Sequence, residues 1–104
     1  MTFLLGLINS QKEFITMMTL EQIQSELAKI AQDLGLKNAE TKAEKPRKWV
    51  HVLISSEDFE GKAASERDNI IWREFERRFD DDTILSITQC YLLTPDQRKE
   101  IGFF

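Results

Sequence analysis

Trp49-Val50-His51-Val52-Leu53-Ile54, then Ser55-Ser56-Glu57-Asp58, then Phe59-Glu60-Gly61-Lys62, is the stretch on which the fold turns. The first six residues are β-branched, aromatic or otherwise apolar with one exception, a nearly continuous run that reads as a strand covered on both faces. Residues 55–58 break the run, and Gly61 permits a tight reversal because it lacks a Cβ. Ser65-Glu66-Arg67-Asp68 reads as a helix start, with carboxylates in the first turn where the helix dipole favours them. Ile71, Phe75 and Phe79 then fall on one helical stripe, widened by Ile70 and Trp72. Arg73, Glu74, Glu76, Arg77 and Arg78 occupy mostly the other side. The unit is a strand–turn–helix over 49–79.

Upstream, Thr19-Leu20-Glu21-Gln22 has the form of a capping box, in which Thr and Gln satisfy orphan helix amides reciprocally. Leu20, Ile23, Leu27, Ile30 and Leu34 recur at spacings of three and four, and Gly35 can take the left-handed conformation that closes a helix. Between this helix and the central strand the chain is polar. The weak alternation of Ala39, Thr41 and Ala43 supports either an edge strand or a solvated connection, and Pro46 marks a turn or strand boundary.

Downstream, Asp80-Asp81-Asp82 opposes the dipole of the preceding helix and predicts its end. Residues 83–93, with Ile84, Leu85, Ile87, Cys90, Tyr91, Leu92 and Leu93, read as a second strand. Thr94-Pro95-Asp96-Gln97 repeats the capping-box form, with proline at the first helical position, and predicts a short helix to about Ile101. The expected fold is α+β: a small three-stranded sheet with helices packed on one face and a short C-terminal helix.

At 104 residues there is room for one core, placed over 19–102. Seven Phe and two Trp in the whole chain give enough bulky apolar surface for a compact core. Residues 1–18 are read as an N-terminal extension, poorly ordered or loosely docked. Its apolar start has no basic flank or small-residue cleavage site and is too short to span a bilayer, so no membrane association is expected. Met17 and Met18 stand just before the first helix and suggest a translation start there. One cysteine cannot form an internal disulfide, and cytoplasmic residence is expected.

Candidate chemistry is sparse. His51, the single histidine, has no second ligand nearby in sequence and reads as a half-buried strand residue rather than a metal ligand. Cys90 has no cation beside it to lower its pKa and reads as an inert strand thiol. Asp80-Asp81-Asp82 lacks the spacing of a calcium loop, and no Ser/His/Asp set or phosphate-binding glycine loop is present. Arg67, Arg73, Arg77 and Arg78 read as partners of the glutamates on their own helix. Lys42, Lys45, Arg47 and Lys48, interleaved with Glu44, form one basic run ending at Trp49, a combination that can bind single-stranded nucleic acid but that is read first as a solvated turn. No catalytic residues, metal or cofactor follow from the residues.

The segment 50–97 resembles the BolA family: an apolar strand, a short turn close to F-x-G-K (here Phe59-Glu60-Gly61-Lys62), a helix, and a strand leaving through Thr94-Pro95. With the helix from Thr19, the resemblance spans roughly the last four-fifths of the chain. It implies an αββαβ core of the type-II KH kind, no enzymatic activity, partnership with monothiol glutaredoxins, sometimes through a shared 2Fe–2S cluster, and nucleic-acid contact through the central helix-turn region. The family's cluster histidine falls at Ser86, or at Thr83 in a shifted alignment, and neither is a standard cluster ligand. The loop expected to give the second ligand has no His or Cys, and the tryptophan common after Thr-Pro is absent.

The functional expectation is therefore a BolA-like, non-enzymatic interaction or regulatory domain, monomeric or homodimeric. Its expected partner-binding residues are Phe59, Glu60, Gly61 and Lys62, with a monothiol glutaredoxin as the implied partner and no bound cofactor. A KH-like nucleic-acid module using Lys45, Arg47 and Lys48 is the alternative, although the chain has no GXXG clamp. A small ligand-binding protein or enzyme would instead require a deep pocket with convergent polar groups.

Overall fold

A computed structural model describes residues 18–101; the apolar start of the N-terminal extension and the last three residues lie outside the described part. The elements run α1 (Leu20–Asp33), β1 (Glu40–Glu44), β2 (Val50–Ser55), a 3-10 turn (Glu57–Phe59), α2 (Ala64–Arg78), α3 (Asp81–Ser86), β3 (Ile87–Leu93) and α4 (Pro95–Glu100). The chain is α+β with a mixed three-stranded sheet in the order β1-β2-β3; β1 pairs antiparallel with β2 and β3 parallel to it.

The expected capping box opens α1: Thr19 Oγ1 accepts from the Gln22 amide at 3.1 Å, and the Thr19 amide donates to Gln22 Oε1 at 2.9 Å. Gly35, at φ +65°, closes it. The Leu36 amide reaches Ala31 O and the Gly35 amide reaches Gln32 O, the paired bonds of a Schellman ending. Ile23, Leu27 and Ile30 are fully buried, each worth about 2 kcal/mol of apolar transfer. The ambiguous 39–43 segment is strand β1. Gln24 of α1 secures it, donating to Thr41 O at 2.8 Å and accepting from the Ala43 amide at 2.7 Å, which satisfies backbone groups of an edge strand.

β2 is buried on both sides, as its composition predicts, and begins at Val50 rather than Trp49, which is 46% exposed. Val50, Val52 and Ile54 join Ile23, Leu27 and Ile30 of α1 and Ile71 and Phe75 of α2 in one core. The rings of Phe75 and Phe79 stack at 5.0 Å, and Trp72 meets Phe75 edge-on at 4.9 Å. α1 and α2 therefore share one face of the sheet. α4 differs: Arg98 ion-pairs with Glu40 at 3.2 Å, and Glu40 alternates with the α1-facing Thr41.

Two expectations are corrected. The segment 83–93 is not one strand: 81–86 forms α3, and β3 starts at Ile87. The aspartates that end α2 also begin the next helix, with Asp80 Oδ1 accepting from the Thr83 amide at 2.7 Å and Asp81 and Asp82 in the first turn. Ser65 is not the cap of α2; the N-cap is Ala63, which makes no side-chain capping bond.

β3 contains a bulge. Val50 pairs with Ile87, but His51 pairs with Gln89, so Ile87 and Thr88 together oppose one step of β2. The extra residue lets Ile87, Cys90 and Leu92, which plain alternation would split between faces, all pack toward the core.

Candidate functional site

The turn after β2 is fixed from three sides. Ser56, fully buried, caps the 3-10 turn by accepting from the Asp58 amide at 3.1 Å, and its hydroxyl donates to Lys37 O at 2.9 Å. Its amide donates to Leu93 O at 3.0 Å, tying the turn to the end of β3. Asp58 Oδ2 accepts from the Lys37 amide at 2.8 Å, and Asn38 donates to the Glu57 carboxylate. Gly61 sits at φ +78°, where a side chain would be strained although nothing crowds the position.

Arg67 locks this turn from α2. Its Nε donates to Lys62 O at 3.0 Å, and its Nη1 donates to Leu92 O and to Gln97 Oε1, each at 2.9 Å. The guanidinium lies 5.7 Å from the centre of the Phe59 ring, within cation–π range. The residue expected to pair with a glutamate of its own helix instead points inward, joining the turn, β3 and α4. Arg77 and Arg78 do follow that expectation, reaching Glu74 at 2.8 and 3.1 Å; Arg78 also reaches Glu26 and Asp33 of α1. Those bonds, chiefly to Asp33, outweigh desolvation and raise the Arg78 pKa.

Of the four turn residues expected to bind a partner, Phe59 is buried in the core and anchors the turn, while Glu60 and Gly61 are exposed. Lys62 is partly buried, and its ammonium donates to Asp58 O at 2.9 Å. Lys62 and Asp58 border an open groove of about 370 Å³, lined also by Leu34, Gly35, Leu36 and Ile70. Three segments distant in sequence meet there: the end of α1, the turn and α2. No single stretch of sequence signals such a groove.

Lys45, Arg47 and Lys48 occupy the loop between β1 and β2, at the opposite end of β2, and all are exposed. Lys48 Nζ stands 5.0 Å from the centre of the Trp49 ring. Beside them, Pro46, Arg47, Trp49 and His51 line a second groove of about 230 Å³.

His51 and Cys90 do not converge. Cys90 pairs in register with Val52 and packs toward the core, whereas His51 is the neighbour of Val52 and projects from the other face. Burial, with the Asp68 carboxylate adding to it, pushes the Cys90 thiol up to about 12, which makes it inert at neutral pH. Thr83 and Ser86 lie in α3, buried and bonded: Thr83 Oγ1 accepts from the Met18 amide at 2.9 Å, and Ser86 Oγ donates to Thr83 O at 2.6 Å. Among the described residues no group of three or more His, Cys, Asp or Glu could hold a metal ion. No described helix is long and apolar enough to cross a membrane.

Compared with known proteins, the chain gives no significant match to a family model, a curated protein or a solved structure. The fold and its surfaces thus define a small α+β domain with a rigid turn, a groove beside it, and a basic loop at the far end of its central strand.

Proposed function

We propose that this chain is a non-enzymatic, BolA-like interaction and regulatory domain. It receives a protein partner of the monothiol glutaredoxin class in the groove beside the 59–62 turn. The observation that carries the reading is the construction of that turn: bonds from α2, β3 and the α1–β1 connection hold it, and it borders an open surface mixing Leu34, Leu36 and Ile70 with Lys62. A pre-ordered surface loses little conformational entropy on binding. The element order, an αββαβ core with α3 inserted and α4 appended, supports the resemblance noted in the sequence. Thr83 and Ser86 offer no histidine, so partner docking here does not use the family's standard cluster ligation.

Co-expression with a monothiol glutaredoxin followed by size-exclusion chromatography tests this. The expected result is a complex without visible cluster absorption that depends on this chain, weakened at least tenfold by Ile70→Asp. Absence of a complex removes the glutaredoxin role, and a complex indifferent to Ile70→Asp moves docking away from the groove. The KH-like reading is weaker at the α2–α3 connection, where Asp80, Asp81 and Asp82 would repel a phosphate backbone.

A further inference from the structure

We infer that the β1–β2 loop is a binding site for single-stranded nucleic acid, with Trp49 as the stacking platform and Lys45, Arg47 and Lys48 as phosphate contacts. It lies at the other end of β2 from the 59–62 turn and stands independently of the partner proposed there.

Charge is the first argument. Residues 45–49, Lys-Pro-Arg-Lys-Trp, carry three cations and no acid in a chain of formal net charge −4. Elsewhere the arginines apart from the exposed Arg73 are spent on carboxylates or carbonyls: Arg77 and Arg78 on Glu74, Arg98 on Glu40, Arg67 on Lys62 and Leu92. Lys45, Arg47 and Lys48 ion-pair with no carboxylate among the described residues. Three exposed cations on one short loop form a local positive field that the rest of the molecule opposes, which confines a polyanion to this end.

The aromatic is the second argument. Trp49, in the bend just before β2, lines one groove with His51, which alternates with the core-facing Val50 and Val52 and so lies on the face of the sheet away from α1 and α2. Trp49 remains 46% exposed, whereas the other described tryptophan, Trp72, packs against the core. An exposed indole forming one wall of a groove, with Arg47 and His51 as other walls, suits a flat base better than an acidic peptide. An acidic peptide would use the cations but leave the indole idle. Glu44, paired in register with His51, is the nearby carboxylate, and it disfavours a phosphate deep on the strand rather than at the loop.

Fluorescence anisotropy with labelled oligo-dT and oligo-rU of about 15 nucleotides, long enough for a small single-strand site, tests the assignment. Binding is expected in the micromolar range and to fall with salt at a log–log slope of about −2, from three phosphate contacts at about −0.7 each. Trp49→Ala should weaken binding about tenfold or more through loss of base stacking, and Trp49→Phe should restore much of it. Lys45→Ala should flatten the slope by about 0.7. Ile70→Asp, at the other groove, should leave affinity unchanged. Equal affinity for a Glu-rich peptide of the same length, equal affinity for the duplex, or a Trp49→Ala variant that binds like the parent would each overturn the proposal. So would no detectable binding at low salt.

Discussion

Replacing Arg67 by methionine and by lysine separates two things a buried arginine can contribute, charge and fork geometry. The residue is 9% exposed and ion-pairs with no carboxylate among the described residues; its acceptors are Lys62 O, Leu92 O and Gln97 Oε1 at 2.9–3.0 Å. Three hydrogen bonds from a charged donor are worth about 4.5–9 kcal/mol together, at about 1.5–3 kcal/mol each. Desolvating the ion offsets several kcal/mol of that. Gln97 Oε1 keeps the Thr94 amide as a donor at 3.0 Å, so methionine strips a donor chiefly from Leu92 O and Lys62 O. Met also preserves the stem above the Phe59 ring. Arg67→Met should therefore lose about 1–3 kcal/mol, set by the unsatisfied carbonyls. Lysine retains the buried charge but serves the acceptors with one compact ammonium instead of a planar fork, and should lose more than methionine does. Urea unfolding followed by circular dichroism gives both values, and hydrogen exchange at the Lys62 amide should quicken in both variants. If Arg67→Lys is the more stable of the two, charge rather than geometry holds the turn and the reasoning fails.

Gly61→Ala should cost about 1 kcal/mol through its positive φ alone, since the added methyl meets open space, and Gly61→Asn should cost less; thermal unfolding distinguishes them. Asp80→Ala should remove about 1 kcal/mol by uncapping α3, with Asp80→Asn close to the parent in the same assay, because asparagine also caps. The Cys90 thiol has a folded pKa of about 12 against an ordinary 9.0, so the unfolded chain ionises first. Its contribution to stability is intact below pH 9 and drains as pH rises toward 12. Cys90→Ala should flatten that part of the pH–stability curve, and alkylation of native Cys90 at neutral pH should track unfolding rather than proceed freely.

Local signals in the chain were readable where one element satisfied its own ends. The Thr19 and Gln22 reciprocity, the Gly35 closure and the Thr94-Pro95 start each appear in the structure as written in the sequence. The error at 81–86 has a physical source. Ile84, Leu85 and Ile87 look like strand residues, and the carboxylates before them are unfavourable at the end of one helix yet favourable at the start of another. Leu85, 74% exposed, shows that its apolar character was not a burial signal. The inward turn of Arg67 depends on carbonyls 5 and 25 residues along the chain, and no helical spacing rule anticipates it. The groove beside the turn was illegible for the same reason, being assembled from residues as far apart as Leu34 and Ile70. The basic loop was visible because its charges and its tryptophan are contiguous.

The bulge in β3 bears on which single-codon losses this chain can absorb. With Ile87 opposite Val50 and Gln89 opposite His51, Thr88 is the surplus residue. Deleting it would leave an unbroken two-residue alternation, with Ile87, Cys90 and Leu92 still facing the core. Deleting Gln89 would simply move Thr88 into its place. Losing Cys90 or Tyr91 would also keep Leu92 inward, but it would bring the polar Gln89 to the core face in place of Cys90. Tolerance to shortening is thus concentrated at the entrance of the strand, and a lineage of this protein could shed a residue there without disturbing the loop at one end of β2 or the turn at the other.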